Sequence, residues 1–131
     1  MFRNDLVVTH LVGTGSYRLK EALIYVGSDL VVIPAGFIFD GASVPKLFTN
    51  IFPKSGARYD RAACLHDWLY ATQTTSRKEA DDLFLQAMKA DGVNWITRKT
   101  IYRAVRMFGW SAWRKVNRDE ADKLVDSLSY A

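Results

Sequence analysis

The sequence predicts an α+β fold, in which a small N-terminal antiparallel β-meander packs against three to four C-terminal helices. The part up to residue 50 is rich in valine, tyrosine and leucine, and the turn sequences GTGS and GSD divide it into short segments. From residue 58 to residue 131 the apolar residues instead recur at helical spacing. The chain of 131 residues contains neither an internal repeat nor a low-complexity linker, so we expect a single domain with one shared core.

The predicted strands lie in three segments, DLVVTHLV, SYRLKEALIYV and LVVIPAGFIF. Each segment is rich in residues that favour strands, and a tight turn over Pro34–Gly36 divides the third one. A loop of small residues, DGASVP, begins at Asp40. We therefore expect the β-rich part to end there, before the chain enters the helical part.

The helical part is predicted to contain three helices and a short fourth one, over Arg58–Ala71, Arg77–Asp91, Thr97–Val116 and Glu120–Ser129. The second helix has the best-marked ends. Ser76 is placed to cap its first turn, with Glu79 three residues later in the capping-box arrangement. Gly92 is placed to end the helix in the left-handed conformation.

The composition excludes several classes of protein and several kinds of site. Hydrophobic residues make up 49% and charged residues 24%, which is typical of a globular rather than a disordered chain. A single cysteine excludes an intrachain disulfide, and with only two histidines it also excludes a Cys/His zinc site. No apolar run is long enough to span a bilayer, and the N-terminus lacks the features of a signal peptide. The net charge of +4 permits contact with anionic partners without requiring it.

A histidine and an acidic residue are adjacent in the otherwise apolar segment CLHDWLY. On the predicted helix, His66 and Tyr70 share one stripe, and Asp67 lies at its edge. On the next helix, Asp81 lies inside the apolar arc, where an unpaired carboxylate is costly. Because the loop between the two helices is short, they should be antiparallel neighbours, and Asp81 should approach His66.

These residue types suit proton transfer beside a cation. A carboxylate that accepts one imidazole N–H fixes the tautomer, which leaves the other nitrogen of His66 to take a proton from water. Asp81 is the candidate for that orienting carboxylate. Asp67, together with Asp40 and its loop, could hold a hard cation such as Ca²⁺ through oxygen ligands, and the cation would polarise a carbonyl.

The same residues admit structural interpretations, which stay open at this point. A histidine in a helix is more often a hydrogen-bonded structural residue than a general base. Asp81 could pair with Arg61 or Arg58 rather than with His66. The sequence DGAS is also common in turns and at helix N-caps. The functional interpretation therefore depends on the conjunction of these residues.

The order of four motifs resembles a family of small proteins found in tailed phages and prophages: PAGFIFDGASVP, HDWLY, SRKEADDLF and YRAVRMFGW. This resemblance implies a source but no activity. The pair HDWLY and ADDLF is also similar to the active-site helices of phospholipase A₂ enzymes, including the parvoviral capsid form. The second resemblance implies four roles: His66 as general base, Asp67 as calcium ligand, Asp81 as the group that orients the histidine, and Tyr70 as its hydrogen-bonding support.

The third predicted helix is basic on one side. Seven Arg and Lys residues and no acidic residue lie within residues 98–118. The candidate surface-binding residues on this side are Arg103, Arg106, Trp110 and Arg114, and the apolar stripe on the other side includes Phe108. Such a face could bind an anionic bilayer, nucleic acid or another protein, or the tryptophan could pack under the C-terminal tail. Gly109 is a point at which this helix could break.

Two functions of different classes follow from the sequence. The first is a phage-encoded, hydrolase-like protein that acts on lipid or another cell-envelope ester, with Ca²⁺ as its cofactor. The alternative is a non-enzymatic virion or assembly component, such as a tail or baseplate part, in which the His/Asp/Asp group is structural. The expected partners are phage structural proteins or the cell envelope. A nucleic-acid-binding accessory protein is a third and less favoured interpretation. The expected location is the host cytoplasm during infection, with incorporation into the virion as a further stage.

Overall fold

A computed structural model describes residues 1–40 and 59–116. It confirms the predicted α+β fold, because short antiparallel strands come first and helices follow. The strands are β1 (Val8–Leu11), β2 (Ser16–Leu19), β3 (Leu23–Val26), β4 (Leu30–Ile33) and β5 (Ile38–Phe39). The helices are α1 (Asp60–Thr72), α2 (Arg77–Ala90), α3 (Trp95–Phe108) and α4 (Trp110–Arg114).

The strands form two sheets rather than one continuous meander. One sheet has the order β1-β2-β5 and the other is the hairpin β3-β4, and all pairings between these strands are antiparallel. After the hairpin the chain turns at Gly36, whose φ of +96° favours glycine and whose N–H donates to Leu19 O at 2.7 Å. Leu19 N in turn donates to Phe37 O at 2.8 Å, so that β5 returns beside β2.

The N-terminal residues lie along the outer edge of β3. Arg3 N donates to Ile24 O, and Val26 N donates to Met1 O, both at 2.9 Å. Ile24 N donates to the side-chain oxygen of Asn4 at 3.0 Å. These bonds satisfy backbone groups that a two-stranded sheet would otherwise leave exposed on this edge.

The ends of α2 agree with the sequence signals. The Ser76 hydroxyl accepts from Glu79 N at 3.1 Å, and the Glu79 carboxylate accepts from Ser76 N at 3.4 Å, so the capping box is confirmed. Gly92 follows the helix with a φ of +80°. α3 begins earlier than predicted because the Asn94 side chain accepts from Thr97 N at 2.9 Å and caps its first turn.

The third predicted helix is divided at Gly109 into α3 and α4. A Cβ atom at Gly109 would lie 2.6 Å from the Tyr70 hydroxyl and closer still to Val105 O, so this close approach requires glycine. Phe108, expected in the apolar core-facing stripe, is exposed because α3 ends at that residue. The short helix predicted over Glu120–Ser129 lies outside the described residues.

α1 is the central element of the described fold. Its residues from Ala62 to His66 and from Trp68 to Tyr70 are buried, and α2, α4, β4 and β5 contact it. The Trp68 ring meets the Phe37 ring edge to face with 5.1 Å between centroids, which joins the helices to the start of β5. In the residues that the structure describes, no helix combines the length and the apolar character needed to cross a membrane.

Candidate functional site

Asp81 lies on the buried face of α2, and its side chain is 0% exposed. Apolar residues of the same helix share that face: Ala80, Leu83, Phe84, Ala87 and Met88. A carboxylate withdrawn from water is costly unless hydrogen-bond donors replace its hydration. Three helices supply those donors here.

One carboxylate oxygen of Asp81 faces α1. His66 Nε2 lies 2.6 Å from Asp81 Oδ1, and the Tyr70 hydroxyl donates to the same oxygen at 2.7 Å. His66 and Tyr70 are about one turn apart on α1, so both lie on the stripe that faces α2. This is the approach of Asp81 to His66 that the helix spacing predicts.

The other carboxylate oxygen accepts from two arginines. Arg106 Nη1 on α3 donates to Asp81 Oδ2 at 2.7 Å, and Arg77 Nη1 on α2 donates to it at 3.4 Å. Arg77 also donates to Val105 O at 3.0 Å and to Arg106 O at 3.1 Å, where a cation is favoured by the C-terminal end of α3. We name His66, Tyr70, Arg77, Asp81 and Arg106 the Asp81 cluster.

The electrostatics of the cluster keep the carboxylate ionised. Burial by itself would raise the pKa of Asp81, but the hydrogen bonds from His66, Tyr70 and Arg106 outweigh it, and the pKa lies below its ordinary value. The pKa of Tyr70 is raised, first by burial and then by its hydrogen bond to Asp81, so the hydroxyl remains a donor at neutral pH. The pKa of Arg106 is raised too, chiefly because its guanidinium donates to the carboxylate.

The His66 ring is enclosed. It is 0% exposed, its centroid lies 4.5 Å from that of Phe84 in a stacked arrangement, and it lies 4.3 Å from the Tyr70 ring. A general base needs access to water or substrate. In this structure His66 is therefore a buried hydrogen-bonding partner of Asp81.

One alternative partner of Asp81 pairs with a different carboxylate. Arg61 on α1 donates to both carboxylate oxygens of Asp91, at 2.6 Å and 2.7 Å. Arg58 lies outside the described residues. The pairing of Asp81 with Arg61, which the sequence leaves open, is therefore absent.

Arginine placement is where sequence reasoning is least accurate. Arg106 is expected on the exposed basic face, but its guanidinium turns inward to Asp81. A long side chain can reach past the face on which its Cα lies, so the helical wheel misplaces its charge. Arg77 is not among the predicted site residues, although its spacing of four residues from Asp81 on one helix is a signal for the pair.

The predicted calcium ligands lie on different elements. Asp67 is half-buried on α1, and Asp40 is exposed just after β5. The residues that follow Asp40 in the DGAS loop lie outside the described residues. Across residues 1–40 and 59–116, no group of three His, Cys, Asp or Glu side chains could hold a metal ion. Calcium binding stays a prediction.

The C-terminal end of α3 and the whole of α4 carry exposed aromatic and basic side chains. Trp110 is 51% exposed, and the Arg114 guanidinium carbon lies 5.7 Å from its ring centroid in a cation–π contact. Met107 and Phe108, which precede it, are exposed, as is Arg103. We name these five residues the α3–α4 surface. Exposed apolar groups beside cations are typical of interaction sites.

A comparison with known protein families identifies the family of the chain. The family described as Protein of unknown function (DUF1353) matches residues 17–105, which is more than half of the chain and includes His66, Tyr70 and Asp81. The chain belongs to that family. Four of the five residues of the Asp81 cluster lie within the matched range, and the fifth, Arg106, follows directly after it.

A similar protein is the uncharacterized protein y4jT of Sinorhizobium fredii, which is 34% identical over 88 residues. The match covers 64% of this chain and 26% of that protein, so the chain spans about a quarter of the length of this relative. No solved structure matches the chain significantly. Neither the family description nor the name of the relative states an activity.

Proposed function

We propose that the chain is a non-enzymatic component of a tailed-phage virion or of its assembly, such as a tail or baseplate part. In this proposal the Asp81 cluster holds α1, α2 and α3 together, and the α3–α4 surface contacts a neighbouring structural protein. The phage assignment rests on the order of the motifs from PAGFIFDGASVP to YRAVRMFGW. The non-enzymatic assignment rests on the geometry of the cluster.

The burial of the His66–Asp81 pair carries this proposal. Both side chains are 0% exposed, and the carboxylate accepts hydrogen bonds within a cluster of four donor side chains. A catalytic pair needs a nitrogen that reaches water or substrate, whereas a structural pair needs only satisfied hydrogen bonds. Both buried side chains are hydrogen-bonded, which supports the structural role over the catalytic one.

The α3–α4 surface supports a docking role. Tryptophan, phenylalanine, methionine and arginine are enriched in protein interfaces, and the surface consists of these four residue types. Its base is held in place because Arg106, from the same helix end, is bound to Asp81, and Arg77 binds the carbonyls of Val105 and Arg106. A surface that is already ordered loses less conformational entropy on binding.

Purification of particles tests the proposal. Virions from a phage or prophage that encodes the tagged chain would be separated on a density gradient, and the chain quantified in each fraction. We expect it to co-purify with particles or tail intermediates, and we expect Trp110→Ala to reduce that incorporation. Trp95→Ala is the matched control, because Trp95 is an exposed tryptophan at the other end of α3. Absence of the chain from particles and intermediates alike contradicts the proposal.

One observation favours a second candidate, a hydrolase that acts on lipid or another cell-envelope ester. Asp81 Oδ1 lies within hydrogen-bond distance of both His66 and Tyr70, which is the arrangement that the phospholipase A₂ resemblance implies. Asp81 would orient the imidazole, and Asp67 would contribute to a calcium site. This candidate requires that the enclosed ring becomes accessible to an ester.

Turnover of phospholipid vesicles, with and without Ca²⁺, separates the two candidates. The hydrolase predicts that the wild-type protein releases fatty acid, that His66→Gln abolishes the release, and that Trp95→Ala leaves it unchanged. The non-enzymatic component predicts no release by any of the three proteins. Calcium-dependent release that His66→Gln abolishes would transfer the conclusion to the hydrolase.

A further inference from the structure

β4 is an edge strand, and its pairing with β3 leaves a row of backbone groups pointing outward. In antiparallel strands, directly opposite residues alternate between hydrogen-bonded and non-hydrogen-bonded pairs. Ile24 donates its N–H to Asn4 and accepts at its C=O from Arg3, both away from β4. The opposite pair Ile24–Val32 is therefore of the non-hydrogen-bonded kind, and the N–H and C=O of Val32 point away from β3.

Leu30 repeats this arrangement at the other end of the strand. Its opposite residue, Val26, donates its N–H to Met1 O, so Leu30 also directs its backbone groups to the outer edge of the hairpin. Within the described chain, no hydrogen bond uses the backbone of Leu30 or Val32. The N-terminal residues cover the edge of β3, whereas the edge of β4 offers unpaired donors and acceptors to another strand.

A cleft of about 550 Å³ lies along this edge. Asp29 and the first three residues of β4 form one wall, and the other wall includes Leu69, Thr72 and Glu79 from the end of α1 and the start of α2. The volume falls within the range of about 300–1,000 Å³ that ligand pockets occupy. We name this space the β4 cleft. Its strand wall is apolar and accessible, since the first residue of β4 is 69% exposed and the third is 41% exposed.

We propose that the β4 cleft binds an extended peptide segment of a partner protein, which joins the β3–β4 hairpin as a third strand. The backbone of the segment would pair with Leu30 and Val32, and its apolar side chains would pack against the exposed side chains of the same two residues. In this mode of recognition, main-chain hydrogen bonds supply affinity and side-chain pockets supply specificity. The site is separate from the α3–α4 surface and does not depend on the function proposed above.

The charge of the cleft selects a basic segment over other occupants. Asp29 and Glu79 line it, and none of the described residues that line it is basic. A lysine or arginine beside the apolar residues of the peptide would complement these carboxylates. A second copy of this chain that paired through the same edge would offer these carboxylates no basic partner from the described lining residues. A lipid chain would leave the backbone groups of the edge unpaired.

An NMR titration of the ¹⁵N-labelled chain with acetyl-Lys-Val-Thr-Val-Thr-Val-amide tests the proposal. We expect the amide signals of Leu30 and Val32 to shift and their hydrogen exchange to slow. The matched control is the same peptide with alternate backbone nitrogens methylated, because it cannot donate to the edge and should not bind. The proposal is overturned if the parent peptide shifts neither amide at millimolar concentration, or if the methylated peptide binds equally well.

Substitutions in β4 and α2 test the contacts separately. Val32→Pro removes the outward N–H without breaking the ladder to β3, and we expect about ten-fold weaker binding. Val32→Thr keeps that N–H and the side-chain shape, and we expect an affinity within about two-fold of the wild type. Glu79→Gln preserves the capping box and should reduce the preference for the lysine peptide over its norleucine analogue.

Two results of these experiments would contradict the peptide site. One is equal affinity of the Val32→Pro and Val32→Thr proteins for the peptide. The other is a concentration-dependent dimer whose formation excludes the peptide, because it would assign the β4 edge to a second copy of the chain.

Discussion

Asp81 is the residue on which the packing of the helical part depends most. It is buried and ionised, and its partners come from α1, α2 and α3. A buried ion pair adds little stability over a well-packed apolar group, but removal of one partner is costly because the others stay buried without compensation. Single substitutions in the cluster should therefore cost far more than substitutions at exposed charges.

Asp81→Asn should destabilise the protein by about 3–5 kcal/mol, because two guanidiniums would lose the only negative charge of the cluster. The control is Asp82→Asn, since that neighbouring side chain is 42% exposed, pairs with Lys78 at the surface, and as asparagine can still accept from the Tyr102 hydroxyl. We expect it to cost less than about 1 kcal/mol. Urea unfolding of both variants measures the difference. Similar losses of unfolding free energy for the two variants would show that the cluster stabilises the fold no more than an exposed ion pair does.

The pKa of Asp81 gives a prediction for acid unfolding. Because the folded-state pKa is below the ordinary value, the stabilisation is present above the unfolded-state pKa of about 3.9 and is lost as pH falls through the folded-state pKa. The free-energy gap between the wild type and Asp81→Asn should therefore be constant at neutral pH and shrink below about pH 4. Unfolding curves from pH 7 to pH 2 measure this gap. A gap that is unchanged or widens in acid would contradict the prediction.

At the scale of single residues, the sequence predicts well which backbone positions become neighbours. It predicts poorly where long side chains place their charges. The His66–Asp81 approach follows from two helices, a short loop and a carboxylate on an apolar face. Arg106 shares a helical face with Arg103, yet its guanidinium binds Asp81 while Arg103 is exposed. The helical wheel gives the direction of Cβ, and several rotatable bonds separate Cβ from the charge.

Gly109 controls the junction between α3 and α4. It packs against Tyr70 and Arg77 of the Asp81 cluster, and its N–H donates to Val105 O at 2.8 Å, so the end of α3 and the cluster share contacts. α4 continues from there, and Trp113 meets the Tyr70 ring edge to face at 5.0 Å. The junction thereby links the buried cluster to the exposed Trp110.

Gly109→Ala should destabilise the protein by about 1–3 kcal/mol, because its methyl group would overlap the Tyr70 hydroxyl and the Val105 carbonyl. The control is Ser111→Ala on α4, where the hydroxyl makes only a long, exposed contact with Phe108 O at 3.4 Å and little change is expected. Thermal unfolding followed by circular dichroism compares the two variants. A Gly109→Ala protein as stable as the wild type would contradict this account of the junction.

Element boundaries follow from local signals where such signals exist. The capping box at Ser76 and the glycine at Gly92 define α2 correctly. The division of the third predicted helix depends instead on the position of Tyr70, which is distant in sequence. The return of β5 to β2 rather than to β4 is likewise non-local, and strand patterns alone do not specify it.

The described fold presents two separate surfaces around one buried cluster. The helices meet at Asp81, the α3–α4 surface extends from one side of this junction, and the β4 cleft lies between the β3–β4 hairpin and the α1–α2 connection. The α+β class and the order of its elements follow from the sequence. The open edge of β4 does not, because it depends on which edge the N-terminal residues cover.

The stability of two His66 variants tests the structural assignment of the cluster most directly. Glutamine can place its amide N–H near the position of the imidazole Nε2, whereas alanine leaves the carboxylate without that donor and opens a cavity. We predict that His66→Ala loses at least about 2 kcal/mol of unfolding free energy and that His66→Gln recovers at least about 1 kcal/mol of it. Variants as stable as the wild type, or more stable, would contradict the assignment, because that behaviour is typical of a histidine retained for catalysis at the expense of stability.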